Sequence, residues 1–141
     1  SIQELTYVNY DFFEHQLLNV LSEYGKIDGV LFHQGEANHR NLSGSQDYEG
    51  DFLTLVMKIR EHTNAPIYMS KVSLCGRRSD EVLLGIQEKI IKDNKGVMRG
   101  PNSDLLSDPK FRLPDYCHFS SLGLDELSTM WVDSISQRSE Y

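Results

Sequence analysis

Long apolar runs, an excess of basic residues and a cysteine framework are all missing from this sequence of 141 residues. No stretch approaches the roughly 20 apolar residues that a membrane span needs. No signal-peptide pattern is visible either. Lys and Arg number 14 against 21 Asp and Glu, a net charge of −7. The basic residues are scattered, so no basic face forms, and nucleic acid and anionic membranes are excluded as partners. The two cysteines, Cys75 and Cys117, make neither a recognisable disulfide framework nor a zinc framework. They pair only if the fold brings them together, which leaves redox compartment and localisation open. No internal repeat, low-complexity tract or interdomain linker interrupts the chain.

What is present suffices for one domain with a core: 39% of residues are hydrophobic and 10% aromatic. Phe13, Leu17, Val20, Leu21 and Tyr24 recur at helical spacing between Asp11 and Tyr24, and Gly25 stops the helix. Ile27 to Phe32 reads as a short buried strand. Tyr48, Phe52, Leu55, Val56 and Ile59 repeat the helical stripe, and Ile67 to Leu74 reads as a second strand. Ser79 is placed to cap a third helix carrying Val82, Ile86 and Ile90. Val97-Met98-Arg99 forms a third strand, and Leu124, Leu127, Trp131 and Ile135 mark a last helix. Helices alternating with strands predict an α/β fold, a three-layer α/β/α arrangement around a mostly parallel sheet with right-handed crossovers. Three strands make a thin sheet, so the chain is expected to lack the first strand of a doubly wound domain. A sheet edge left uncovered in that way favours self-association or pairing with the missing N-terminal segment.

Two clusters carry chemistry. In the first, the apolar run Val30-Leu31-Phe32 ends in His33-Gln34-Gly35-Glu36-Ala37-Asn38, at the carboxyl end of a strand, where ligands bind in open α/β sheets. Gly35 lets a backbone N–H approach a ligand. Gln34 and Asn38 each offer an amide donor of the kind a developing oxyanion needs. Glu36 only accepts, so it orients its neighbours. In the second cluster, Asp115 and His118 stand three residues apart in a loop opened by Pro114. A carboxylate on one imidazole nitrogen fixes the tautomer and leaves the other nitrogen to take a proton from a nucleophile.

The 30–38 segment resembles the third conserved block of SGNH-superfamily carbohydrate esterases of the sialate O-acetylesterase-like kind, which carry an aromatic-x-Gln-Gly-Glu-x-Asp/Asn sequence there. Asp115-Tyr116-Cys117-His118-Phe119, followed by Gly123 and the Trp131 helix, is similar to the block that supplies their acid and base. Tyr48, Arg60, Gln87 and the Gly100-Pro101-Asn102-Ser103-Asp104 turn occur between them in the expected order. The resemblance spans essentially the whole chain and implies an SGNH or flavodoxin-like fold over residues 1–141, a single domain forming the C-terminal part of an esterase domain. It implies catalytic roles for Asp115 and His118, an oxyanion or substrate-binding role for Gln34, Gly35 and Asn38, and a supporting role for Glu36. No metal or other cofactor is expected.

Two departures stand beside that likeness. Phe32 replaces a tryptophan common in these enzymes, keeping an aromatic wall. The family's nucleophilic serine lies in a Gly-x-Ser turn after the first strand, and no such turn precedes the first helix here. Ser43-Gly44-Ser45 follows the third block and reads as a polar loop. The leading expectation is therefore an ester hydrolase acting on an acetylated sugar or glycan, to which this chain contributes acid, base and oxyanion groups. Alone, it is expected to be inert toward simple esters. Alternatives are a sugar O-acetyltransferase and a non-catalytic carbohydrate-binding or interaction module. A metal site built from His33, His39, Cys117 and His118 lacks any usual zinc spacing.

Overall fold

The computed structural model describes residues 1–39 and 47–136. After a π-helical turn at Glu4–Val8, the elements run α1 (Tyr10–Tyr24), β1 (Val30–Phe32), α2 (Glu36–His39), α3 (Tyr48–Arg60), β2 (Ile67–Lys71), α4 (Glu81–Asp93), β3 (Val97–Asn102) and α5 (Ser121–Ser136). Two 3-10 turns, Ser103–Leu105 and Pro109–Phe111, lie between β3 and α5. The strands form one parallel sheet in the order β1-β2-β3, with Val30 beside Ile67 and Ile67 beside Val97. Neighbouring parallel strands require crossovers, and α3 and α4 supply them. The fold is α/β, with helices flanking the sheet.

The core follows from the periodicities. Ile67 and Met69 point to one side of β2 and join Phe32, Phe52, Leu55, Ile59, Leu83, Ile90 and Val97 in one apolar cluster. Phe32 and Phe52 meet edge to face at 5.0 Å, fixing α3 against β1. Gly25 ends α1 in the left-handed region, φ 74°, and its N–H bonds the Leu21 carbonyl. β1 lies at an edge of the three strands, with Leu31 about half exposed. Among the described residues no helix is long and apolar enough to cross a membrane.

Several boundaries differ from the sequence reading. β1 begins at Val30, since Asp28 and Gly29 interrupt the run before it. β2 ends at Lys71, where the ladder to β3 becomes irregular, and β3 continues to Asn102. The cap of α4 is Asp80, not Ser79: its carboxylate accepts from the N–H groups of Val82 and Leu83. The buried face of α4 is Leu83, Leu84, Gln87 and Ile90, while Val82 is exposed. Gln87 turns that face inward because its amide bonds both the N–H and the carbonyl of Val72 at 2.9 Å. On α5, Leu127 is buried, whereas Leu124 and Ile135 are exposed.

Candidate active site

The carboxyl ends of the three strands converge. Phe32 leads into His33, Lys71 into the loop through Cys75, and Asn102 into Ser103. His33 Nε2 lies 3.1 Å from the Ser103 hydroxyl, which also reaches the Lys71 carbonyl, so the three strand ends are tied by side chains. Beyond them opens a cleft of about 910 Å³ lined by His33, Gln34, Glu36, Asp115, His118 and Phe119, among others.

The 115–118 loop is built by its own aspartate. Asp115 Oδ1 accepts from the N–H groups of Cys117 (2.9 Å) and His118 (3.0 Å), closing a tight turn. The turn swings the imidazole back, and Oδ2 meets His118 Nδ1 at 2.5 Å. The bond from His118, followed by the two backbone N–H groups, holds the Asp115 carboxyl far below the usual carboxylate range. It is therefore ionised at neutral pH, and the imidazole Nδ1 must carry the proton it shares with it. The His118 side chain lines the cleft, and Nε2 is the ring nitrogen that Asp115 does not engage. Among the described residues no hydroxyl lies within hydrogen-bonding distance of it. Ser43 and Ser45 lie outside the described residues.

Several contacts anchor this loop. Cys117 is disulfide-bonded to Cys75, so the fold does bring the two cysteines together. Tyr116 occupies the left-handed region, φ 55°, as does Arg77, φ 69°, and the Arg77 guanidinium stacks on the Tyr116 ring at 3.8 Å. The Leu113 N–H bonds the His118 carbonyl, and that of Ser120 bonds Phe111, folding 111–120 into a small hairpin. Gly123 is required where α5 meets it, since a Cβ there would stand 2.0 Å from the Phe111 carbonyl oxygen.

The 33–38 corner is held differently. Gln34 donates to Asn38 Oδ1 at 2.7 Å, and the Gln34 carbonyl accepts from Tyr48 at 2.6 Å. Burial raises the Tyr48 pKa strongly, so its hydroxyl stays a donor. An amide carries two N–H donors, and Asn38 takes one of those of Gln34. The Gln34 Oε1 is buried with no hydrogen-bond partner among the described residues. Gly35 is not among the residues that line the cleft. The close approach that the sequence assigns to a ligand is made here by the segment just after β2: a Cβ on Gly35 would fall 1.9 Å from the Val72 carbonyl oxygen. The Gly35 N–H points at Glu36 Oε2, 3.1 Å away. Glu36 Oε1 stands 3.7 Å from His33 Nδ1. Asn38 is buried, its Oδ1 also accepting from the N–H of Ile2, and it too lies outside the cleft lining.

Sequence reasoning passed over the residues that hold these parts in place. Asp104, buried, accepts from the N–H groups of Ser73 and Leu74 and from the Ser73 hydroxyl, shaping the loop that carries Cys75. Arg112, buried between Phe111 and Leu113, donates to three carbonyls. A cation set in an apolar segment just before Pro114 was the available signal. Among the described residues no three His, Cys, Asp or Glu side chains are arranged to hold a metal, and the disulfide removes Cys117 as a thiolate ligand.

Nothing matches the chain among the curated proteins, nor among the solved structures. The family model of SASA, described as carbohydrate esterase, sialic acid-specific acetylesterase, matches residues 6–137. With nearly its whole length matched, and with an acid–imidazole pair opening on a strand-end cleft, the chain belongs to this family of carbohydrate esterases.

Proposed function

We propose that this chain forms the acid–base and substrate-facing part of a carbohydrate O-acetylesterase working by a Ser-His-Asp mechanism. The observation that carries this reading is the Asp115–His118 pair at a cleft that His118 and Gln34 both line. A serine Oγ attacks the acetyl carbonyl while His118 Nε2 takes its proton. The resulting imidazolium is stabilised by Asp115. The remaining N–H of Gln34 is aimed at the developing oxyanion. Collapse of the tetrahedral intermediate expels the sugar hydroxyl, which receives the proton from His118. Water then repeats the sequence on the acetyl-serine and releases acetate. Glu36 and Asn38 act by fixing His33, Gly35 and Gln34. No cofactor takes part.

The serine is assigned to a polypeptide segment outside these 141 residues, which we read as the C-terminal part of a single esterase domain. The substrate is an acetylated sugar, with O-acetylated sialic acid the first to test given the family's description. A non-catalytic module is the second reading, favoured by the lack of a hydroxyl at His118 Nε2 among the described residues. Acetate release separates the two. The 141-residue chain should show only background on O-acetylated sialic acid and on an acetylated neutral sugar. The polypeptide that its gene encodes should turn over at least one of them, with His118→Ala lowering the rate by roughly 10³-fold or more. Equal rates for His118→Ala and wild type would end the esterase mechanism.

A further inference from the structure

Arg112 is the least expected buried group in the molecule. It is 4% exposed and makes no ion pair among the described residues, although the Asp104, Glu36 and Asp115 carboxylates all lie near enough to favour its charge. A buried cation without a contacting carboxylate is costly unless its donors are satisfied. Here Nε donates to the Leu106 carbonyl at 2.7 Å, one terminal nitrogen to Cys117 at 2.8 Å and the other to Ser103 at 2.9 Å. The guanidinium also lies 3.9 Å from the centre of the Phe119 ring. Cys117 and Phe119 are the two residues that flank His118. Ser103 is the residue whose hydroxyl meets His33. One rigid fork thus grips the backbone before His118, the ring after it and the strand end beneath the other histidine.

We propose that Arg112 is the positioning residue of the acid–base loop, holding His118 in the orientation that keeps Nδ1 on Asp115 and the side chain at the cleft. This rests on the esterase reading only for its catalytic consequence; the positioning itself is a property of the fold. Lysine cannot replace it. An ammonium keeps the charge but has neither the planar five-donor fork nor a face to stack on Phe119.

The test is Arg112→Lys in the 141-residue chain with its disulfide intact, read by nitrogen-15 NMR of the His118 ring above its titration range. In the wild type the ring should be held as the Nδ1–H tautomer. Arg112→Lys should shift it toward the Nε2–H form that free imidazole side chains favour in water. Phe119→Leu, which keeps the fork and removes the stack, should move it the same way by less, and it stands in if Arg112→Lys does not fold. In the esterase encoded by the gene, Arg112→Lys should lower kcat by roughly 10–100-fold, as expected for a misplaced catalytic group, with KM changed less than about 3-fold. A folded Arg112→Lys protein, less stable but with the wild-type tautomer, would overturn the proposal and leave Arg112 a structural cation. The two readings fail separately. A tautomer shift in Arg112→Lys beside full activity of His118→Ala keeps the positioning role and discards the esterase mechanism.

Discussion

Two pairs in this molecule share one spacing and differ in nearly everything else. His33 and Glu36, like Asp115 and His118, put an imidazole and a carboxylate three residues apart. In the first pair both side chains are about three-quarters buried and the groups stand 3.7 Å apart. In the second the imidazole is largely exposed, yet the separation is 2.5 Å. The difference lies in the turn. Asp115 closes its own loop by accepting two backbone N–H groups, so its second oxygen is delivered to the imidazole. The Glu36 carboxylate is turned to the Gly35 N–H instead. The anchoring differs as well. A disulfide and the Arg112 fork hold the 115–118 loop, whereas the 33–36 corner is held by packing of Gly35 on the Val72 backbone and by Tyr48. Equal spacing in sequence thus says little about equal roles. The geometry of the intervening backbone decides which pair is a short, oriented acid–base couple.

Breaking each corner separately sharpens that contrast. The largest effect is expected from Asp115→Asn, because the side chain still accepts the two backbone bonds but no longer enforces the tautomer. Acetate release by the gene product should fall by roughly 10³–10⁴-fold, with circular dichroism unchanged. A loss below about tenfold would mean that the short contact is structural. Reducing Cys75–Cys117, or replacing both by serine, opens a closure spanning 42 residues of sequence. On chain entropy it should cost about 4 kcal/mol in urea unfolding. A cost under about 1 kcal/mol would show that the non-covalent contacts hold the loop unaided. Gly35→Ala strikes the other corner. Its Cβ would stand 1.9 Å from the Val72 carbonyl oxygen, so that backbone or the corner must move, at about 3 kcal/mol. The His118 ring signals should stay as in the wild type. Their displacement would mean that the corners are coupled more tightly than the anchors suggest.

The sequence made the periodic parts legible and left the singular ones dark. The spans of α1 and α3 and the parallel sheet follow from apolar spacing and from Gly25, since those signals repeat over several turns, although Val20 and Tyr24 of the α1 stripe are exposed. The buried face of α4 did not follow, because Gln87 reads as polar while its amide is fully satisfied by the Val72 backbone. The acid–imidazole contact was legible because Asp115, Pro114 and His118 sit within one turn. The Cys75–Cys117 bond and the grip of Arg112 were not, since each joins residues through the tertiary fold. Gly35 reads as a close-approach position, but its partner, the Val72 carbonyl, lies far along the chain in the segment after β2.

The smallest expected effect is a pH dependence that separates the two histidine corners by window. Burial pushes the His33 pKa down, and the nearby Arg112 cation adds to this, while the Glu36 and Asp104 carboxylates oppose it. In the unfolded chain the imidazole returns to about 6.5. Between the folded value and 6.5 the unfolded chain binds a proton that the native state refuses, so stability falls as pH falls through that range. Above it His33 is neutral in both states and contributes no slope. Asp115 works in a lower window. Its folded pKa is depressed, so its contribution is complete above the unfolded carboxyl value of about 3.9 and is lost only as pH drops below that. The urea midpoint of the wild type should therefore decline between about pH 7 and pH 5, and His33→Gln should flatten that decline without altering the steeper loss below pH 4. Parallel midpoint curves for the two proteins above pH 5 would mean that His33 takes up its proton in the folded state as readily as in water, and that the buried corner is more open than its packing shows.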